Sequence, residues 1–234
     1  MDAAMHAGGD AVTLQLLPAH ECDPSELLDF EVENREYFRR WIPDRGDDCF
    51  SLEAVASSLA RARKWWAAGT DRLHVAVDEA GVVVARANLV HIADGRASIG
   101  YRVAEVHAGL GIATAAVARL LAMAPVWGIE RVFATTSVVN VGSARVLERC
   151  GFVLVGKCAR AMKVGDVMFD AFEWETATKS PATRFIPDGR DPFARPLQAR
   201  QREPSPDAAR LVIPDPATLT AHEPELPPHS RSSP

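Results

Sequence analysis

The sequence predicts an α+β fold: a mixed, mostly antiparallel central sheet with helices on both faces, followed by a proline-rich disordered tail. Three observations carry that expectation. Strand-like and helix-like runs interleave along residues 11–178 with no internal repeat. Residues 99–113, IGYRVAEVHAGLGIA, pass from an apolar strand through a glycine-rich turn into an Ala/Leu-rich run. Beyond residue 178 the composition changes, with most of the 16 prolines and almost no aromatic residues falling there.

The elements read in order. Residues 12–17 alternate as a short strand. Asp23-Pro24-Ser25 opens a helix over 24–40, with Leu27, Leu28, Val32 and Tyr37 as inward positions. A second helix covers 51–68. Strands follow at 73–78, 82–92 and 96–104, meeting at turn signals around Gly81 and Asp94-Gly95. A helix over 110–124 stops at Pro125. A strand over 131–138, a helix over 142–150 and a hairpin (152–163 and 167–176, turning at Gly165-Asp166) complete the domain. Residues 1–10 read as a flexible arm, and 179–234 as a tail that buries too little apolar surface to offset its ordering entropy. Phe185, Ile186 and Phe193 are its few anchors.

A strand that feeds a glycine turn at a helix start is built to hold phosphate. The first N–H groups of a helix lack intrahelical partners, and the helix dipole adds positive charge there. Gly109 and Gly111 remove the Cβ atoms that would hold an anion away. A Walker loop requires Gly-Lys-Ser/Thr, but Ile112-Ala113 follows Gly111. A dinucleotide turn requires a third glycine where Thr114 stands, and Glu130 precedes the next strand instead of ending it.

The third option is an acetyl-CoA pyrophosphate turn. Residues Ala108, Gly109, Leu110, Gly111, Ile112 and Ala113 resemble the Gln/Arg-x-x-Gly-x-Gly/Ala turn of the GNAT acyltransferases, departing from it at Ala108. Downstream, a buried strand over 132–138 leads to Asn140, Ser143 and Gly151-Phe152, which resembles the GNAT pattern of strand, Asn, Ser-initiated helix and Gly-Phe. Ser143 or Asn140 can cap that helix, and Gly151 sits where a helix terminus needs positive φ. Asn34 through Trp41 and Pro43 resemble the RimJ/RimL branch, the ribosomal-protein N-terminal acetyltransferases and their relatives. The resemblance covers roughly residues 11–176.

The resemblance implies a chemistry: acetyl transfer from acetyl-CoA to a primary amine by direct attack in a ternary complex. It places the backbone N–H of Val103 at the thioester carbonyl, where a fixed donor stabilises developing charge. It gives Ala108–Ala113 to the pyrophosphate, Asn140 to pantetheine, and Ser143 to protonation of the departing thiolate as well as to the cofactor contact. Ribosomal members of the branch can carry a basic glutamate on the strand after Gly-Phe, where this chain has Met162. Substitutes are Glu31, Glu33 and Asn88, the glutamates reading otherwise as plain helix surface and the asparagine as a residue that orients water. An α-amine of pKa near 8 costs only about 1 kcal/mol to neutralise at pH 7, against about 4.6 for lysine, so a protein N-terminus or a small low-pKa amine fits best.

Composition bounds the partners. A net charge of −5 argues against a nucleic-acid footprint, although Arg35, Arg39 and Arg40 form a local basic face. There is no signal-like segment and no apolar run of membrane length. Cys22, Cys49, Cys150 and Cys158 show no metal-like spacing and read as reduced thiols in a cytoplasmic protein. A monomer or homodimer is expected. Trp41 borders the acceptor pocket or closes the sheet as a lid; His74 reads as a hydrogen-bonded strand residue, His91 as a more open position able to titrate near neutrality, and His107 as a turn residue that is solvated or touches a phosphate. The competing class is a non-catalytic CoA-binding or interaction protein in which Ala108 and Met162 mark lost chemistry.

Overall fold

The computed structural model describes residues 14–178. The proposed arm and tail, and the start of the first strand, lie outside the described residues. One seven-stranded sheet runs in the order β1-β2-β3-β4-β5-β7-β6. Its strands are β1 (Gln15–Pro18), β2 (Arg72–Val77), β3 (Val83–Ala93), β4 (Arg96–Val103), β5 (Arg131–Ser137), β6 (Val153–Val164) and β7 (Val167–Ala177). All neighbours are antiparallel except β4 and β5. The helices are α1 (Pro24–Glu33), α2 (Arg35–Arg39), α3 (Leu52–Ala68), α4 (Ile112–Met123) and α5 (Val141–Arg149). The α+β expectation holds, and apart from the helix over 24–40 the elements lie within a few residues of their sequence readings.

Two apolar layers cover the two faces of the sheet. Side chains alternate along a strand, so Ala85, Ala87 and Leu89 of β3 join Ile99 of β4 against α4 and α5. On the opposite face, Leu73, Val75 and Val77 pack against Leu27, Phe30, Val55 and Leu59 of α1 and α3. Val32, expected inward, is instead an exposed position on α1.

The expected single helix over 24–40 is two helices, and Asn34 is the reason. Its backbone leaves helical geometry at φ −103° and ψ 4°. Its buried side chain donates to Phe30 O at 2.8 Å and accepts from the Glu105 N–H at 2.8 Å. One side chain therefore ends α1 and ties it to the segment after β4. The helix expected from residue 110 begins at Ile112, because Gly111 holds a left-handed φ of 84° and is the residue before the first helical turn.

Candidate active site

The sheet splits at its centre. β4 and β5 pair only through Arg96–Arg131, Ala97–Val132 and Ser98–Phe133, and then part. The Ala104 N–H bonds Val84 O on β3, so the alternation of an antiparallel ladder sends the amides of Tyr101 and Val103 the other way, into the gap. Among the described residues these donors have no strand opposite them. Val103, the residue expected at the thioester carbonyl, is thus on the open edge of β4.

The glycine turn stands at the mouth of this gap. Gly109 and Gly111 both have positive φ, 80° and 84°, and a Cβ at either would meet nothing within 4 Å. The space before them is the cradle an anion would fill. The N–H groups of Gly109, Gly111, Ile112, Ala113 and Thr114 make no hydrogen bond to a described residue. The Ala108 N–H bonds Glu105 O at 3.0 Å and the Leu110 N–H bonds His107 O at 3.4 Å, so these two are turned inward. α4 has no capping side chain, which leaves its N-terminal dipole free for a ligand. The open amides fit a pyrophosphate.

Across the gap, α5 brings Asn140 and Ser143. Asn140 is the helix cap: its Oδ1 accepts the Ser143 N–H at 3.0 Å. The Ser143 hydroxyl is therefore spare, and it meets Tyr101 instead. Tyr101 Oη lies 2.8 Å from Ser143 Oγ and 3.1 Å from Ser143 O. Burial raises the Tyr101 phenol to about 12, outweighing the hydrogen bond from Ser143, so it remains a proton donor at neutral pH. Tyr101 was missed from the sequence. It lies in the glycine-turn motif itself, two residues before Val103, but only the parting of β4 from β5 makes it a neighbour of α5.

The substitute bases are distributed differently from what their residue types suggest. Asn88 sits opposite Gly100 on the α1/α3 face, away from Ser143, and its Oδ1 accepts the His74 N–H at 3.2 Å. Glu33 is exposed on α1. Glu31 is 2% exposed and receives Arg86 Nη1 at 2.8 Å as well as Arg102 Nη2. Burial pushes its pKa up, but the guanidiniums of Arg102, Arg45 and Arg86 outweigh burial and hold the carboxyl below its usual range. A paired, acidic carboxylate is a poor proton acceptor. Met162 lies on the outer hairpin opposite Phe169. His74 is fully buried and pushed down to about 3 by burial, so it is a neutral core residue, and His91 occupies a bulge at φ 54°. Trp41 is half-buried beside Ile42 and Pro43, which line a small cavity under α1.

Comparison with known proteins gives the family of this chain. A family model described as an acetyltransferase (GNAT) domain matches residues 13–153. The chain belongs to the GNAT family, N-acetyltransferases that use acetyl-CoA. It is 27% identical over 164 residues to the probable N-acetyltransferase YjcK of Bacillus subtilis (strain 168), covering 68% of this chain and 90% of that one. The ribosomal-protein-S5-alanine acetyltransferase of Vibrio fischeri superposes with a TM-score of 0.66 at 20% identity, covering 70% of this chain and 92% of the other. RimJ of Mycobacterium smegmatis, solved with a CoA disulfide, gives 0.66 at 23%, covering 73% and 84%. By structure the enzyme is RimJ/RimL-like. No helix among the described residues is long and apolar enough to cross a membrane.

Proposed function

We propose that this enzyme acetylates a primary amine, a protein N-terminus or a small amine, by direct attack on the thioester within the β4/β5 gap. The observation that carries this reading is the open edge of β4 running into the uncapped glycine turn. Backbone amides at Gly109, Gly111, Ile112 and Ala113 hold the pyrophosphate. The Asn140 Nδ2, which has no bond to a described residue, serves pantetheine. The Val103 N–H meets the thioester oxygen as charge develops on it.

The amine lone pair forms the C–N bond, the C–S bond breaks, and the thiolate takes a proton. Ser143 and Tyr101 divide that task. When Tyr101 donates to Ser143 O, the serine hydroxyl must donate to the phenol. When Tyr101 donates to Ser143 Oγ, the serine proton is released for sulfur and its oxygen is already compensated. The two acceptors, 2.8 and 3.1 Å from one phenol, permit that exchange without moving a side chain. The ammonium proton leaves to water, which suits an amine already partly neutral at pH 7–8.

The two faces of the gap then have separate duties. Ser143 and Tyr101 serve the sulfur on the α4/α5 face. The amine enters on the α1/α3 face, where Gly100 is exposed and a Cβ on it would meet nothing within 4 Å. Thiol release from acetyl-CoA with a panel of N-terminal peptides, polyamines and lysine peptides tests the reading. Release that depends on α-amine peptides supports it; release with none of the amines while CoA still binds supports a binding protein instead.

A further inference from the structure

The α1/α3 face carries more positive charge than its own acids balance. Arg86 and Arg102, each 11% exposed at the side chain, both donate to the same oxygen of Glu31, Oε1. Arg45 brings a third guanidinium to that carboxylate and makes no side-chain hydrogen bond to a described residue. Arg86 Nε is buried without a partner among the described residues. Burial and then repulsion from Arg45 push the Arg102 pKa well down against the pull of Glu31, and burial lowers that of Arg45. Three guanidiniums thus share one acid in a low-dielectric site, where excess charge is costly.

The outer acids do not correct this. Asp44 is held by Arg35 and Arg39, Asp47 by Arg35, and Glu36 by Arg39. Glu36 and Asp47 are 78% and 84% exposed, so solvent screens them. A cavity of about 20 Å³ lies there, lined by Arg45, Arg102, Phe38 and Phe50 and by the two paired acids Glu31 and Asp44. That is room for one water or one carboxylate oxygen. Arg102 also lies two residues from Gly100 on the same strand face, which is about 7 Å along the strand.

We propose that the acceptor is an amine bearing a carboxylate roughly 5–8 Å from its nitrogen, docked so that the carboxylate meets Arg45 and Arg102 while the amine stands over Gly100. This rests on the amine-acetylation reading above and names its substrate class. The planar fork of arginine matches a carboxylate, and the missing anion is what the buried excess charge calls for. An α-carboxylate on the reacting amine is too close to reach. An acidic side chain at the second or third position of an N-terminal peptide has the span. Polyamines are disfavoured by the same charge.

The test uses the full chain with acetyl-CoA and matched peptides that begin with alanine and carry Asp, Asn or Lys at position two or three. Wild type is expected to prefer Asp over Asn by at least about tenfold in kcat/KM at low salt, with Lys worst. Arg45→Gln should reduce the Asp/Asn ratio toward one, chiefly by raising KM for the Asp peptide. An Asp/Asn ratio within twofold in wild type, or a ratio that Arg45→Gln does not change, overturns this inference while leaving amine acetylation intact. If no peptide is acetylated, calorimetry with the same peptides still decides. Tighter binding of Asp peptides that Arg45→Gln abolishes supports the anion site although the transfer reading fails, and equal binding overturns both.

Discussion

Glu31→Gln separates the two roles a carboxylate beside the gap could have. The substitution keeps shape and most hydrogen bonding but removes the negative charge to which Arg86 and Arg102 both donate and which attracts Arg45. Breaking a fully buried ion pair on one side costs about 3–5 kcal/mol, because the other charge is left uncompensated. For a domain of this size each kcal/mol moves Tm by about 2–4 °C, so a loss of roughly 6–20 °C is expected. Added sulfate should recover part of it by occupying the cationic site. Since Glu31 is held in its charged, paired form, it accepts no proton from substrate, and kcat measured well below Tm should change by no more than about twofold. The experiment pairs thermal melts with thiol-release kinetics at 20 °C. An unchanged Tm with kcat lowered a hundredfold would refute the reasoning and make Glu31 the general base.

Three further outcomes are expected. Ser143→Ala and Tyr101→Phe should each lower kcat on the order of tenfold, a modest effect because a thiol of pKa near 8.5 leaves readily. The double variant should cost little more than either single one if the two share one proton path, and a full hundredfold product would show independent roles. Ser143→Ala should barely change Tm, because Asn140 rather than the serine hydroxyl caps α5. Gly111→Ala should cost about 1 kcal/mol in the apo protein for its left-handed φ, and should weaken CoA binding at least tenfold by filling the cradle; an unchanged Kd in calorimetry places the pyrophosphate elsewhere. Stability should fall with acid before the carboxylates titrate. His74 is pushed from 6.5 to about 3, so the unfolded chain binds a proton between those values that the folded chain refuses. The contribution is complete above pH 6.5 and shrinks as pH falls toward 3, by about 2–3 kcal/mol between 6.5 and 4.5. His20, lowered by burial, adds to the slope. Urea melts of His74→Gln should show that slope reduced, and an undiminished slope would assign it to other groups.

Much of the fold was legible because its signals are local. Glycines at 81, 95, 128, 151 and 165 all adopt positive φ, and strands and helices end beside them. The glycine turn declared itself through spacing, and the open amides of Gly109, Gly111, Ile112 and Ala113 are a property of the backbone there. What was not legible depended on contacts between distant segments. Asn34 breaks a helix to reach Glu105, 71 residues away. Tyr101 finds Ser143 only because β4 leaves β5 after Ser98. Arg45, Arg86 and Arg102 are scattered in sequence and unremarkable singly, and their convergence on Glu31 needs α1 laid across β3 and β4. The basic face read from Arg35, Arg39 and Arg40 was the outer, neutralised rim of that group.

Amide hydrogen exchange with and without CoA tests the central claim most directly. The proposed ligand site lies against donors that bond no described residue: Tyr101 and Val103 on the open edge of β4, and Gly109, Gly111, Ile112 and Ala113 in the turn. These amides should exchange fast in the free protein and slow sharply on binding, while those of Ala108 and Leu110, already bonded within the turn, change little. Protection that spares the turn and the β4 edge, with CoA bound, would contradict it.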